Sequence, residues 1–222
     1  MNGFDDAAAV ARYAENPPRL VPGFGDLQRM TRLLMAETAS ADGRILVVGA
    51  GGGLELRAFA EAQPGWSFVG IDPSAEMLKL ATRTLGPFAE RVDLHEGYIA
   101  SAPTGPFDAA CCLLTLHFVP LEDRLSTLTE IRRRLKPGAQ FVLAHHSAPD
   151  GPARDLWFDR FGAFAAGNGV AFDPRSGGAR VVGARLPILS PEEEVDILRK
   201  AGFTDPQLFY AALTFRGWVA RA

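Results

Sequence analysis

The sequence predicts an α/β fold in which one parallel sheet carries helices on both faces. Three observations lead there. Segments that read as strand and as helix alternate from residue 44 to about 146, the pattern of successive β–α–β units. The strand segments are unbroken apolar runs such as Ile45-Leu46-Val47-Val48, which suits strands covered on both sides. That first run ends in Gly49-Ala50-Gly51-Gly52-Gly53, a tight turn into the next helix. The 222 residues fit a single domain, 1–222. Within it, residues 1–43 read as an N-terminal helical lid and 147–189 as a lid insertion at the carboxyl edge of the sheet.

The elements follow in order. Residues 54–62 read as a helix stopped by Pro64-Gly65, and 67–71 as the second strand. Asp72 or Ser74 can open the next helix, 75–85. Residues 92–95 form a weaker third strand, 107–114 a fourth and 140–144 a fifth. Between the last two lies a helix over 121–135, closed by Lys136-Pro137-Gly138. Ahead of the first core strand, Asn16-Pro17-Pro18 separates two helical stretches. The lid insertion holds one helix, near 153–166. Ser190-Pro191-Glu192-Glu193 starts another that runs to Ala201, and strands at 207–211 and 213–220 lie close enough to pair as a hairpin.

Hydrophobic residues make up 47% and charged residues 22%, the balance of an ordinary globular chain. The formal net charge of −3 offers no broad attraction to a phosphate backbone, so nucleic acid is not an expected partner. Cys111 and Cys112 are adjacent within an apolar run. Neighbours on a strand face opposite ways and the spacing fits no zinc pattern, so both are expected to be reduced packing residues, with no metal. The opening Met1-Asn2-Gly3-Phe4 has neither the basic region nor the apolar core of a signal peptide. No stretch approaches the roughly 20 apolar residues of a membrane span. A cytoplasmic enzyme acting on a small molecule is the expectation, with monomer and homodimer both open.

The glycine turn narrows the ligand. A dinucleotide fingerprint reads G-x-G-x-x-G, but here the third glycine comes one residue early and Leu54 takes its place. The spacing G-x-G-x-G is that of a turn passing close to the amino-acid end of S-adenosylmethionine (SAM). Asp72, 19 residues past Gly53 at the end of the second strand, can accept hydrogen bonds from both ribose hydroxyls of a nucleoside. A helix-capping role for Asp72 is compatible with that one.

From about Val21 onwards the chain resembles the class I SAM-dependent methyltransferases. The likeness rests on 45–53, on Phe68-Val69-Gly70-Ile71-Asp72-Pro73-Ser74-Ala75-Glu76-Met77, on Phe107-Asp108, on Leu116-His117-Phe118-Val119-Pro120, on Leu135-Lys136-Pro137-Gly138 and on Ala201-Gly202-Phe203 before the terminal hairpin. The resemblance implies a Rossmann-like three-layer sandwich with a seven-stranded sheet in the order 3-2-1-4-5-7-6, only the last strand antiparallel. It places Gly49, Ala50, Gly51 and Gly53 against the methionine part of SAM and Asp72 on the ribose. Pro73 and Met77 would lie against adenosine, Gly97, Tyr98 and Ile99 beside adenine, and Leu113 and Leu114 on the far side. Two positions depart from the family pattern. Val47 stands where an acidic residue usually precedes the first glycine, so the SAM ammonium must find its partner elsewhere. Tyr98 stands where Asp is frequent at the adenine. A closer likeness is to the carboxy-SAM synthase group, relatives that act in tRNA wobble-uridine modification. It rests on Val21-Pro22-Gly23-Phe24 and on the ending Leu208-Phe209-Tyr210 through Phe215-Arg216-Gly217. That group holds an extra carboxylate with a lid arginine, for which Arg180 is the positional match.

Methyl transfer from a sulfonium is a direct displacement that needs alignment above all, and a base only for a protonated acceptor. His117, after the fourth strand, and His145 and His146, closing the fifth, are the candidate bases. His95 reads as structural. Tyr13, Arg19 and Phe24 are candidates to complete the acceptor pocket, with S-adenosylhomocysteine as the product. The aromatic residues of the lid, Trp157, Phe161 and Phe164, share one helical face and read first as packing. A small-molecule methyltransferase is the leading function. A carboxy-SAM synthase-like activity, a non-catalytic SAM-binding protein and, behind them, a nicotinamide oxidoreductase are the alternatives.

Overall fold

The computed structural model describes residues 15–222. In chain order its main elements are α1 (Asn16–Leu20), α2 (Phe24–Met35), β1 (Arg44–Val48), α3 (Leu54–Ala62), β2 (Ser67–Asp72), α4 (Ala75–Leu85), β3 (Val92–Glu96), β4 (Phe107–Leu113), α5 (Leu121–Arg133), β5 (Leu135–His146), α6 (Pro152–Gly167), α7 (Arg180–Arg185), α8 (Pro191–Lys200), β6 (Thr204–Ala212) and β7 (Phe215–Arg221). The seven strands form one sheet in the order β3-β2-β1-β4-β5-β7-β6. All neighbours are parallel except β7, which runs antiparallel to both β5 and β6. This is the Rossmann-like sandwich that the sequence implies.

The core divides across the sheet. Ile45, Val47, Phe68, Ala109, Cys111, Val142 and Ala144 point to one face, under Leu27 of α2 and Leu56 and Phe59 of α3. Leu46, Val48, Val69, Ile71, Ala110, Cys112, Phe141 and Leu143 point to the other, under Leu128 of α5 and Leu198 of α8. Cys111 and Cys112 thus lie on opposite faces, both buried and free.

Two boundaries differ from the sequence reading. Lys136-Pro137-Gly138 does not lie ahead of the fifth strand but inside it. Leu135 already pairs with Phe107, and the register with β4 is irregular until Ala109 meets Gln140. The three residues are accommodated where the ladder is broken, and a proline there forfeits no ladder hydrogen bond. At the other end of the chain, Asn16-Pro17-Pro18 itself opens α1, because proline in a first turn lacks only an N–H that would have no partner; the helical stretch expected ahead of it lies outside the described residues. The 190s helix is as expected. Ser190 and Glu193 form a reciprocal capping box. Among the described residues no helix is long and apolar enough to cross a membrane.

Candidate cofactor and active site

The candidate ligand residues gather at the carboxyl edge of the parallel strands, where the helices that follow the neighbouring strands β1 and β4 leave to opposite faces of the sheet. The glycine turn is folded over the end of β2. The N–H groups of Gly49 and Ala50 both donate to the carbonyl of Ile71, at 2.8 Å each. Gly49 has φ of +77°, and a Cβ there would stand 2.0 Å from Thr115 Oγ1. Gly53 is the N-cap of α3 in the left-handed region and makes no side-chain cap. The first N–H groups of α3 therefore have no side-chain oxygen supplied by the cap residue.

Asp72 ends β2 beside this turn. Its Oδ2 accepts from the N–H of Gly51 at 2.9 Å and its Oδ1 from the N–H of Ser74 at 2.9 Å. The helix cap is Ser74, whose Oγ accepts from the N–H of Met77. Burial pushes the Asp72 carboxyl above its usual value, and the two backbone donors pull it back down. An ionised carboxylate has about four lone-pair sites, so each oxygen retains one for a ribose hydroxyl. The Gly97 N–H donates to the carbonyl of Asp72 at 3.0 Å, which fixes the Gly97-Tyr98-Ile99 segment beside the same carboxylate. There Ile99 is buried and Tyr98 is 73% exposed. Pro73 is exposed and Met77 buried. Leu113 is buried at the end of β4, and Leu114 next to it holds φ of +55°, an uncommon conformation for a leucine. Its N–H donates to the carbonyl of Ala144 at 2.6 Å.

The three histidines lie together at the ends of β4 and β5. His145 and His146 diverge as strand neighbours must. The His145 ring faces Trp218, and its Nε2 lies 3.3 Å from Glu194 Oε2 of α8. Glu194 also accepts from Arg124 Nη1 at 3.2 Å, and both of those side chains are fully buried. His146 faces the lid. Its ring stacks on Phe215 at 4.0 Å and meets Phe158 and Phe161 of α6, while its Nδ1 pairs with Thr214 Oγ1 at 2.9 Å. Burial and the nearby His145 bring His146 down to about 3. His117 bridges the pair: its Nδ1 accepts from the backbone N–H of His146 at 3.2 Å. Burial, then His146, His145 and Arg124, hold it well below the usual histidine value.

The remaining candidates are dispersed. Phe24, the first residue of α2, is buried in the same core cluster as Leu113 and Phe158. Arg19 is exposed on α1 and lies 3.7 Å from Glu15. Arg180 is half exposed and already engaged: its Nε donates to Asp159 Oδ1 at 2.7 Å and its Nη2 to Asp159 Oδ2 at 2.5 Å, with Asp155 beyond at 3.5 Å. Tyr13 lies outside the described residues. The N-terminal segment is tied down where Tyr210 Oη donates to the carbonyl of Pro22 at 2.5 Å, and α1 packs against α6 of the inserted lid.

A family model described as a methyltransferase domain matches residues 46–141, the stretch that contains the glycine turn, Asp72 and His117. Over that stretch the chain is similar to the class I SAM-dependent methyltransferases. A carboxy-S-adenosyl-L-methionine synthase of Chromohalobacter salexigens is 27% identical over 97% of this chain and 82% of the relative. A trans-aconitate 2-methyltransferase of an Azoarcus species is 32% identical over 72% of this chain and 58% of the relative. In fold, a SAM-dependent methyltransferase of Aquifex aeolicus superposes with a TM-score of 0.65 at 17% identity, over 97% of this chain and 98% of that one.

As a methyltransferase the chain uses SAM as methyl donor, and its residues fit that group. The turn is held by the hydrogen bonds of Gly49 and Ala50 to Ile71, and Gly51 and Gly52 present backbone without a side chain. Sequence reading missed several polar residues at or near the site: Glu55, Gln28, Thr31, Arg124, Glu194 and Thr214. A signal was present for most of them, since each helical one sits four residues from a buried apolar residue on the same stripe. Glu55 precedes Phe59, Gln28 follows Phe24, Thr31 precedes Met35, Arg124 precedes Leu128 and Glu194 precedes Leu198.

Proposed function

We propose that this methyltransferase acts on a small-molecule acceptor bound under the 147–189 lid, next to the end of β5, with His146 as a neutral imidazole that accepts a hydrogen bond from the acceptor and orients it. The observation that carries the reading is the setting of His146. It is the one histidine of the three that faces the lid aromatics, and Thr214 fixes its ring. When Nδ1 donates to Thr214 Oγ1, the lone pair rests on Nε2, and burial keeps the ring neutral at physiological pH. The carboxylate of Asp72 orients the nucleoside, the glycine turn holds the amino-acid end, and the lid excludes water. SAM, when bound, supplies an electrophilic methyl group. Displacement from a sulfonium draws most of its acceleration from alignment, which explains why no acid or base is required near the methyl.

The test has two steps. Calorimetric titration with SAM, S-adenosylhomocysteine and NAD is expected to give micromolar binding of the first two and none of the third. Acceptor screening by S-adenosylhomocysteine release then compares wild type with His146→Ala. Loss of turnover with retained SAM affinity supports the orienting role, and unchanged turnover removes it.

A second reading is favoured by one comparison: the carboxy-SAM synthase of Chromohalobacter salexigens matches this chain almost end to end. Such an activity needs a cationic side chain for an added carboxylate. Arg180 would have to release Asp159 to serve, so a mass-spectrometric search for a carboxylated SAM product in wild type and Arg180→Ala decides the matter. Absence of that product from wild type rejects the reading.

A further inference from the structure

The amino-acid end of SAM carries a cationic ammonium, and the glycine turn that receives it is a poor place for a cation. The turn leads into the N-terminus of α3, whose free N–H groups and dipole present positive charge. An acidic side chain is needed nearby, and Val47, on β1 just below the turn, cannot provide it. Asp72 has both oxygens directed to Gly51 and Ser74, on the ribose side.

Glu55 is the carboxylate placed to fill that role. It sits in the first turn of α3, two residues past Gly53. The orientation of α3 follows from its neighbours: Leu56 lies over β2, where a Cβ on Gly70 would meet its Cδ1 at 2.9 Å, and Phe59 is buried in the sheet-facing cluster. Glu55 shares the stripe of Phe59, and its charge is felt by the Cys111 thiol. Cys111 is the register partner of Val47 on the neighbouring strand. The Glu55 side chain therefore serves the same patch of sheet, beneath the turn, that a side chain at position 47 serves from β1. Its own backbone N–H donates to this carboxylate, and burial raises it to about 7. Cys111 is the titratable group of the packed strand that faces it, and burial holds that thiol protonated, well above its usual value.

A second, independent observation comes from α2. Gln28 and Thr31 are 9% and 0% exposed, and Gln28 Nε2 and Thr31 Oγ1 have no hydrogen-bond partner. Helix α2 starts at Phe24, in the core cluster of Leu113, and just past its far end Thr38 Oγ1 accepts from the Gln140 N–H of β5. Gln28 is one turn in from Phe24 and next to Leu27, both of which are buried in the cluster that holds Val47 and Cys111. A buried amide donor without a partner is costly, and it offers what a ligand carboxylate accepts.

We propose that Glu55 binds the ammonium of SAM in place of an acid at position 47, and that the buried Gln28 amide of α2 donates to the carboxylate of the same ligand. The proposal rests on the SAM assignment above, and the experiment separates the two. Wild type, Glu55→Gln and Gln28→Leu are titrated with SAM and with 5′-methylthioadenosine, which keeps the nucleoside and thioether but lacks the amino-acid end. Proton exchange on binding is read at pH 7 in buffers of differing ionisation enthalpy. Glu55→Gln is expected to weaken SAM by about 30-fold or more, to leave 5′-methylthioadenosine within about twofold, and to abolish a proton release that wild type shows with SAM. Gln28→Leu should weaken SAM alone, by a smaller factor. Unchanged SAM affinity in Glu55→Gln, or equal loss of both ligands, overturns the proposal while leaving the SAM assignment intact. Failure of wild type to bind either ligand overturns both.

Discussion

At the residue scale, the site depends on groups that serve structure and ligand together. Asp72 binds the glycine turn through Gly51 and the next helix through Ser74, and in the proposed site its remaining lone pairs accept from the ribose. Hydrogen bonds to a charged group contribute about 1.5–3 kcal/mol, so Asp72→Ala is expected to weaken SAM by about 10- to 100-fold in calorimetry. Asp72→Asn should retain part of that affinity. Gly49 carries a different constraint. Its φ of +77° disfavours any other residue, and Thr115 occupies the volume a Cβ would need. Gly49→Ala is therefore expected to lower stability by about 2 kcal/mol or more and to lose SAM binding, whereas a paired Thr115→Gly change should recover part of the stability. A denaturation midpoint that stays put in Gly49→Ala would contradict the close approach.

At the element scale, the helices announce themselves by their apolar stripes, and their polar exceptions mark where something else is required. In α8 the stripe holds Glu194, which reaches Arg124 on α5 with both side chains at 0% exposure. Arg124 also donates to the carbonyls of Val119 and Pro187, so one guanidinium joins α5, the β4–α5 connection and the end of the lid. Removing one partner of such a pair leaves a buried charge and costs about 3–5 kcal/mol, while replacing both by apolar residues is often neutral. Glu194→Gln is expected to lower Tm by about 10 °C, and Arg124→Met with Glu194→Leu to restore most of it. The capping box of α8 is a smaller matter: Ser190→Ala should cost about 1 kcal/mol. Much of this level was legible in advance. The bounds of α3 and α4 follow from Pro64-Gly65 and from Ser74 directly. The 136–138 segment misled because Lys-Pro-Gly reads as a helix stop, whereas Leu135 is claimed by Phe107 across the sheet, a pairing that no local signal contains.

At the scale of the whole molecule, buried ionisable groups set how stability changes with pH. His117 and His146 have folded-state values far below the unfolded one near 6.5. Their contribution is complete above that pH and declines as pH falls below it, because the unfolded chain takes up protons that the folded one refuses. Glu55 acts in the opposite sense. Raised from 4.5 to about 7, it binds a proton in the folded state first, so its contribution is present below about 4.5 and lost as pH rises toward 7. Between these limits two histidines outweigh one glutamate, and the net slope should approach about 1.4 kcal/mol per pH unit. Glu55→Gln removes the opposing group and should steepen the loss of stability between pH 6.5 and 4.5 in denaturant titrations. An unchanged slope in that variant would place the Glu55 carboxyl in water.

The sequence by itself determined the sandwich, the strand order implied by its family motifs, the glycine turn and the carboxylate at Asp72. Those features are encoded by neighbours in the chain: apolar runs, a fixed glycine spacing and a helix start. Only the tertiary structure decided that His146 turns toward the lid while His145 turns to Glu194, that Arg180 is held by Asp159, and that Glu55 lies over the strand register of Val47 and Cys111. Each of these joins residues far apart in sequence, because the sheet brings side chains together by register and face, and neither is written in any local pattern of residues.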